Sequence, residues 1–143
     1  MNFFSLFKRN IIYQLKKKIN IDTDGINFKS LDKLLNFYGS DKASFFKKNN
    51  SYGHGYSKFY EYYLDKFKNK KMQILEIGSY AGASAAAFKK YFKNSKIICF
   101  DINISNFKYS SSEFWLIFGD DSGNDSMDLS SEAKSIVLPL NPK

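Results

Sequence analysis

The sequence predicts an α/β fold: the N-terminal half of a doubly wound parallel sheet, preceded by a helical lead-in. Three observations predict it. Short apolar runs at Met72 to Ile77, Lys96 to Phe100 and Phe114 to Phe118 are each followed at once by a glycine or an aspartate. An alanine-rich stretch, Gly82 to Phe92, lies between the first two. Upstream of Met72 the apolar residues recur at helical spacing, and from there on they do not. Strand, helix, strand, connection, strand is the start of such a sheet.

The elements follow in order. Residues 1–20 form an amphipathic pattern, with Phe3, Phe4, Phe7, Ile11 and Leu15 on one face and Lys8, Lys16 and Lys18 elsewhere. Such a helix packs on the domain, or makes a peripheral contact with an anionic membrane surface. Ile21 to Asn27 reads as a polar connection turning at Asp24-Gly25. Ser30 caps a helix whose apolar stripe is Leu31, Leu34, Leu35 and Tyr38, and Gly39 ends it. Residues 39–55 read as a loop. Ser57 to Lys68 is helical, with Phe59, Tyr60, Tyr63, Leu64 and Phe67 in register. Met72 to Ile77 then reads as a buried strand. This divides the chain into a lead-in (1–55), a half-domain (56–122) and an atypical tail (123–143). All 26 aromatic residues lie at or before Phe118, whereas the last 25 residues hold both prolines and two lysines against five acids.

Composition narrows the class. The chain has 143 residues, 43% of them hydrophobic and 18% aromatic, which suits one globular domain. Its single cysteine, Cys99, excludes an internal disulfide framework and suits a reducing, cytoplasmic setting. No apolar run has the length of a membrane span, and residues 1–20 lack a signal-peptide pattern. The net charge is +8. The lysines are scattered and Arg9 is the only arginine, so no nucleic-acid partner is expected. Lysine enriched together with Asn, Phe, Ile and Tyr is the pattern of an AT-rich genome. A basic nucleic-acid binder remains a rival, with steep salt dependence as its signature.

The chemistry centres on the first strand–helix turn, Glu76-Ile77-Gly78-Ser79-Tyr80-Ala81-Gly82. Ligands of open parallel sheets bind beyond the carboxyl ends of the strands. Gly78 suits a tight turn, and Gly82 permits close approach at the helix start. A dinucleotide fingerprint needs a second glycine where Tyr80 stands. Glu76 would also repel a pyrophosphate. S-adenosyl-L-methionine carries a sulfonium and an ammonium and no phosphate, so an acid-lined cradle suits it. Asp101, ending the second strand, can accept from ribose hydroxyls, a device that NAD sites share. Asp120, ending the third, can reach an adenine amino group.

Ile74 to Ser84 (ILEIGSYAGAS), then ICFDIN and IFGDDS, resembles the first three cofactor motifs of class I S-adenosylmethionine-dependent methyltransferases, which are Rossmann-like. Tyr38-Gly39-Ser40-Asp41-Lys42, followed by His54-Gly55-Tyr56-Ser57-Lys58-Phe59-Tyr60-Glu61, is similar to the lead-in of macrocin/mycinamicin-type sugar O-methyltransferases and their bacterial glycan-biosynthesis relatives. The resemblance covers roughly residues 30–122. It implies that Glu76, Gly78 and Gly82 hold the methionine part of the cofactor, Asp101 the ribose and Asp120 the adenine end, with Ser79 and Tyr80 also cofactor-binding. It also implies that Tyr56 and His54 close over cofactor or substrate, and that the acceptor is a small molecule or glycan hydroxyl. His54, the only histidine, reads either as the base that deprotonates that hydroxyl or as a loop residue ordering the lead-in. Tyr52, Tyr56, Tyr60, Tyr62 and Tyr63 read as a sugar-lining set, with half or more of them in the core. Lys42 reads as paired with Asp41 or a neighbour, or as a solvated turn residue.

Relatives continue into a fourth strand and beyond. That region supplies the acceptor site, often a divalent metal site, and usually the base. The tail after Ser122 does not resemble it, so a truncated chain is expected, with no metal ligands of its own. An open sheet edge would favour a homo-oligomer. Two rivals remain: a fragment of an NAD-type oxidoreductase, and a non-catalytic module that keeps only the fold.

Overall fold

The computed structural model describes residues 11, 17–46 and 50–119. The apolar face predicted at Phe3, Phe4, Phe7 and Leu15, the acid Asp120 and the tail 123–143 lie outside them. Among the described residues, no helix is long and apolar enough to cross a membrane.

The lead-in helix α1 spans Leu31–Tyr38. Ser30 is extended and its hydroxyl accepts from the Lys33 N–H, while Gly39 closes the helix at φ 82°. Leu31, Leu34 and Leu35 are fully buried, so the predicted stripe faces the core. Burying each stabilises by roughly 2 kcal/mol. Helix α2, Tyr56–Leu64, runs on into a 3-10 turn at Asp65–Phe67. Helix α3, Ala83–Tyr91, has Ala85, Ala86 and Ala87 fully buried. These small residues let it pack closely between the sheet and α1.

Two short ribbons were not anticipated. β1 (Ile19–Asn20) pairs in parallel with β6 (Tyr109–Ser110), and this seats Ile21 in the core. The expected polar connection therefore starts with a fully buried residue. β2 (Phe45–Phe46) pairs antiparallel with β3 (Ser51–Tyr52), inside the stretch read as loop.

The main sheet is parallel and three-stranded in the order β4-β5-β7: Gln73–Ile77, Lys96–Asp101 and Phe114–Phe118. The register Glu76↔Cys99↔Leu116 sets one face toward α3, continued by Ile74, Ile97 and Phe114. Side chains alternate along a strand. The other face of β4 therefore carries Leu75 and Ile77, which are 59% and 76% exposed. The expectation of a fully buried strand is corrected here. β4 is an edge strand of the described sheet, and among the described residues only one of its faces is covered.

Asp24 ties α1 to α3. It accepts from the Tyr38 hydroxyl at 2.6 Å and from the Ile26 N–H at 3.0 Å, and pairs with Lys90 at 2.7 Å. Burial alone would raise its carboxyl; the bonds from Lys90, Tyr38 and Ile26 and the Lys90 charge outweigh it and hold the group below its ordinary 3.8. Asp22 and Asp32 are likewise depressed against a burial that alone would raise them, by bonds from Ser111 and Ser112 and from Ser57 and Ser44 respectively. A depressed folded pKa stabilises fully above the unfolded value, and the gain is lost as pH falls through the folded value. Stability is therefore expected to drop on acidification from about pH 4 downward. Asp24→Asn should cost roughly 2 kcal/mol at neutral pH and flatten that slope. Denaturant melts from pH 2 to 7 would show it; an unchanged slope in the variant would remove Asp24 from the account.

Candidate cofactor site

The turn after β4 is built from left-handed residues. Gly78 has φ 76°, Tyr80 φ 48° and Gly82 φ 75°. The Gly78 N–H donates to Phe100 O at 2.8 Å, and Gly82 N–H to Ser79 O at 2.8 Å. The Ser79 hydroxyl donates back to Glu76 O at 3.1 Å. A tyrosine at φ 48° is strained by about 1 kcal/mol or more. What holds it is Asp101, whose Oδ2 accepts from the Tyr80 N–H at 2.5 Å and whose Oδ1 accepts from Asn103 N–H at 2.8 Å. Asp101 is 8% exposed. The residue expected at the ribose pins the turn.

The two glycines play different parts. A side chain at Gly78 would meet no atom within 4 Å, so open space lies beside the backbone there. At Gly82 a Cβ would overlap the Phe107 ring and lie 2.8 Å from its Cδ1. Gly82 therefore makes room for Phe107, which the sequence reasoning did not foresee.

Glu76 points into the helix-facing side of the sheet and is 7% exposed. Its Oε1 accepts from the Ser84 hydroxyl and lies 3.6 Å from Lys42 Nζ. Its Oε2 is buried and has no partner among the described residues. A carboxylate oxygen left bare inside a protein is costly, so an oxygen in this state suits a cationic ligand group. Cys99, the strand neighbour of Glu76, is pushed up to about 12 by burial and then by the Glu76 charge, so it stays a neutral thiol.

The lead-in docks by a backbone zipper. His54 N–H donates to Asp41 O at 2.7 Å, Gly55 N–H to Ala43 O at 3.0 Å, Ser57 N–H to Lys42 O at 3.1 Å and Gly53 N–H to Ser44 O at 3.0 Å. This zipper joins the two motif segments noted in the sequence, and it aims Lys42 at Glu76. Lys42, Ser84 and Phe107 were missed as site residues. The first stood within a quoted motif, but only the fold shows that its partner is 34 residues away. His54 Nε2 lies 3.5 Å from Asp41 Oδ2, and the ring stacks on Tyr56 with centroids 5.3 Å apart. Both His54 and Asp41 are more than half exposed. The Tyr60 ring contacts that of Tyr56, with centroids 6.4 Å apart, and its hydroxyl is raised by burial and then by the charges of Glu76 and Tyr56. The expectation that half or more of the five tyrosines are core is corrected. Tyr52, Tyr56, Tyr62 and Tyr63 are exposed and only Tyr60 is partly buried, because α2 turns most of its aromatic residues outward. Among the described residues, no three His, Cys, Asp or Glu side chains gather to hold a metal ion.

No family model matches the chain, and no curated protein matches it. Among the solved structures similar to it are two of one enzyme. One is MycE methyltransferase from the mycinamycin biosynthetic pathway in complex with Mg, SAH and mycinamycin VI; the TM-score is 0.55 at 23% identity over 75% of this chain and 28% of that one. The other is the same enzyme with Mg and SAH, at TM-score 0.56 and 24% identity over 77% of this chain and 30% of that one. Over the matched part, the chain shares the Rossmann-like α/β fold of those structures. It spans less than a third of the length of those methyltransferases. Within the main sheet, the Gly78–Gly82 turn leads from the carboxyl end of β4 into α3.

Proposed function

We propose that this chain binds S-adenosyl-L-methionine in the Glu76–Gly82 turn, as part of a methyltransferase acting on a sugar or glycan hydroxyl. The observation that carries the cofactor reading is Glu76: a nine-tenths buried carboxylate at the start of a glycine turn, with one oxygen bare. The cofactor supplies an electrophilic methyl group. The chain's residues bind and orient it. Glu76 Oε2 takes the ammonium, the open side of Gly78 and the Ser79–Tyr80 backbone take the amino-acid part, and Asp101 takes a ribose hydroxyl on its remaining lone pairs. Asp120 takes the adenine end. Tyr80 and Glu76 disfavour the pyrophosphate of NAD.

His54 is the proposed base, with Tyr56 stacked against it at the edge of the site. Asp41 Oδ2 lies 3.5 Å from Nε2 and helps to orient the ring, whose free nitrogen takes the hydroxyl proton as the acceptor oxygen is methylated. The buried thiol of Cys99 suits a reducing cytoplasm.

Titration calorimetry with S-adenosylhomocysteine tests the cofactor claim. Saturable binding in the micromolar range is expected, with no response to NADH. A folded sample giving no heat with millimolar S-adenosylhomocysteine would overturn it, and tight NADH binding would move the reading to an oxidoreductase.

A further inference from the structure

Helix α2 presents aromatic rings to solvent where a helix of this length would ordinarily bury them. Phe59 is 61% exposed and Tyr62 82%, and Tyr56 and Tyr63 are each about half exposed. The rings touch in sequence. Phe59 packs on Tyr63 at 4.5 Å and Tyr63 on Tyr62 at 4.9 Å, while Phe59 and Tyr56 each contact Tyr60 at 6.4 Å. Through Tyr56 the row continues to His54. The ridge is thus one surface with the lead-in edge of the cofactor site.

Charge narrows what it fits. The acids of this segment are engaged elsewhere: Glu61 accepts from the Leu31 N–H at 2.6 Å, and Asp65 accepts from the Tyr91 hydroxyl at 2.6 Å with Lys68 at 3.9 Å. Lys58 and Lys66 are exposed one turn to either side of Tyr62, and the Lys58 charge also reaches Asp32. Asp65 is itself 63% exposed, but its charge is paired with Lys68, and residues 56–68 hold three lysines against two acids; ring faces flanked by Lys58 and Lys66 complement a flat, polar, anionic partner. Three of the four exposed rings carry hydroxyls, which suits a hydroxylated surface better than a lipid tail.

We propose that this ridge is the docking platform for an anionic carbohydrate: sugar rings stack on Phe59, Tyr62 and Tyr63, and a carboxylate or phosphate on the sugar meets Lys58 and Lys66. The assignment rests on the sugar-acceptor reading above and gives that acceptor a charge and a place. Binding there holds the chain of sugars so that one hydroxyl reaches His54.

The test uses the full chain with trigalacturonic acid, neutral galactotriose, and vesicles of phosphatidylcholine and phosphatidylglycerol in equal parts. Calorimetry and amide NMR shifts read binding. Trigalacturonate is expected to bind and to shift α2, and the Phe59→Ala/Tyr62→Ala double variant should lose about tenfold in affinity. Lys66→Gln should narrow the preference over galactotriose. The side chains changed are largely exposed, so the melting temperature should hold within a few degrees. Equal binding by the double variant would overturn the proposal, as would equal binding of the neutral trisaccharide or binding to vesicles alone. S-adenosylhomocysteine binding, read on the same samples, separates the two claims. Its absence beside intact, variant-sensitive trisaccharide binding sinks the cofactor reading and supports the ridge; its presence without trisaccharide binding sinks the ridge alone.

Discussion

Gly53→Ala is expected to destabilise the protein by about 3 kcal/mol or more, the largest effect of any single methyl group in the lead-in. A Cβ at this position would overlap the Ala43 carbonyl oxygen and lie 2.7 Å from the Asp41 carbonyl oxygen. Both obstacles are backbone, and both carbonyls are held by zipper bonds, from Gly55 and His54. Neither can swing aside as a side chain would. The zipper must open, and with it goes the placement of Lys42 against Glu76. The variant should therefore also weaken S-adenosylhomocysteine binding. Gly25→Ala is the control. Gly25 has φ 70° but nothing within 4 Å of its Cβ position, so alanine there adds backbone strain of roughly 1 kcal/mol and no clash. Denaturant melts of the two variants give the comparison. Equal losses would mean that the clash at position 53 relaxes freely and that the zipper is not rigid.

Glu76→Gln is expected to weaken S-adenosylhomocysteine binding by roughly 10- to 100-fold, the worth of a charge-assisted hydrogen bond in a buried site. Glutamine keeps the shape and an oxygen for the Ser84 hydroxyl, so stability should fall by only about 1 kcal/mol. Lys42, about a quarter exposed, stays solvated when its partner is neutral. What is lost is the charge that would meet the ligand ammonium at Oε2. 5′-Methylthioadenosine isolates this. It has the nucleoside and no ammonium, so it should bind wild type and variant alike. If both ligands weaken equally, Glu76 shapes the turn and does not hold the amino-acid end. If neither weakens, the bare oxygen is not a ligand contact.

Much of the architecture was legible because it depends on local chemistry. Ser30 and Gly39 cap α1 where capping rules place them, and the Leu31–Tyr38 stripe is buried as its spacing implies. The three apolar runs became β4, β5 and β7 to within a residue or two. The order Glu76, glycine turn, Asp101 was legible too, as the loop joining β4 to α3 and the end of β5. Other features were not legible, because each depends on a residue far along the chain. The β1–β6 pair joins segments 90 residues apart, and two-residue strands leave no period to read. The outward turn of Tyr62 and Tyr63 could not be told from core spacing, since a helix repeats its apolar positions the same way whether or not something covers them.

The sequence by itself determined the main helices, the three-stranded parallel sheet and the acid-bearing glycine turn, because capping, period and turn chemistry act within a few residues. Only the tertiary structure decided what those residues do. It showed that Gly82 makes room for Phe107, that Asp101 restrains the left-handed Tyr80, and that Lys42 reaches across from the lead-in to Glu76. Each of these is a close approach between distant segments. Steric fit and charge pairing at 3 to 4 Å follow from the packed fold and from nothing shorter-ranged.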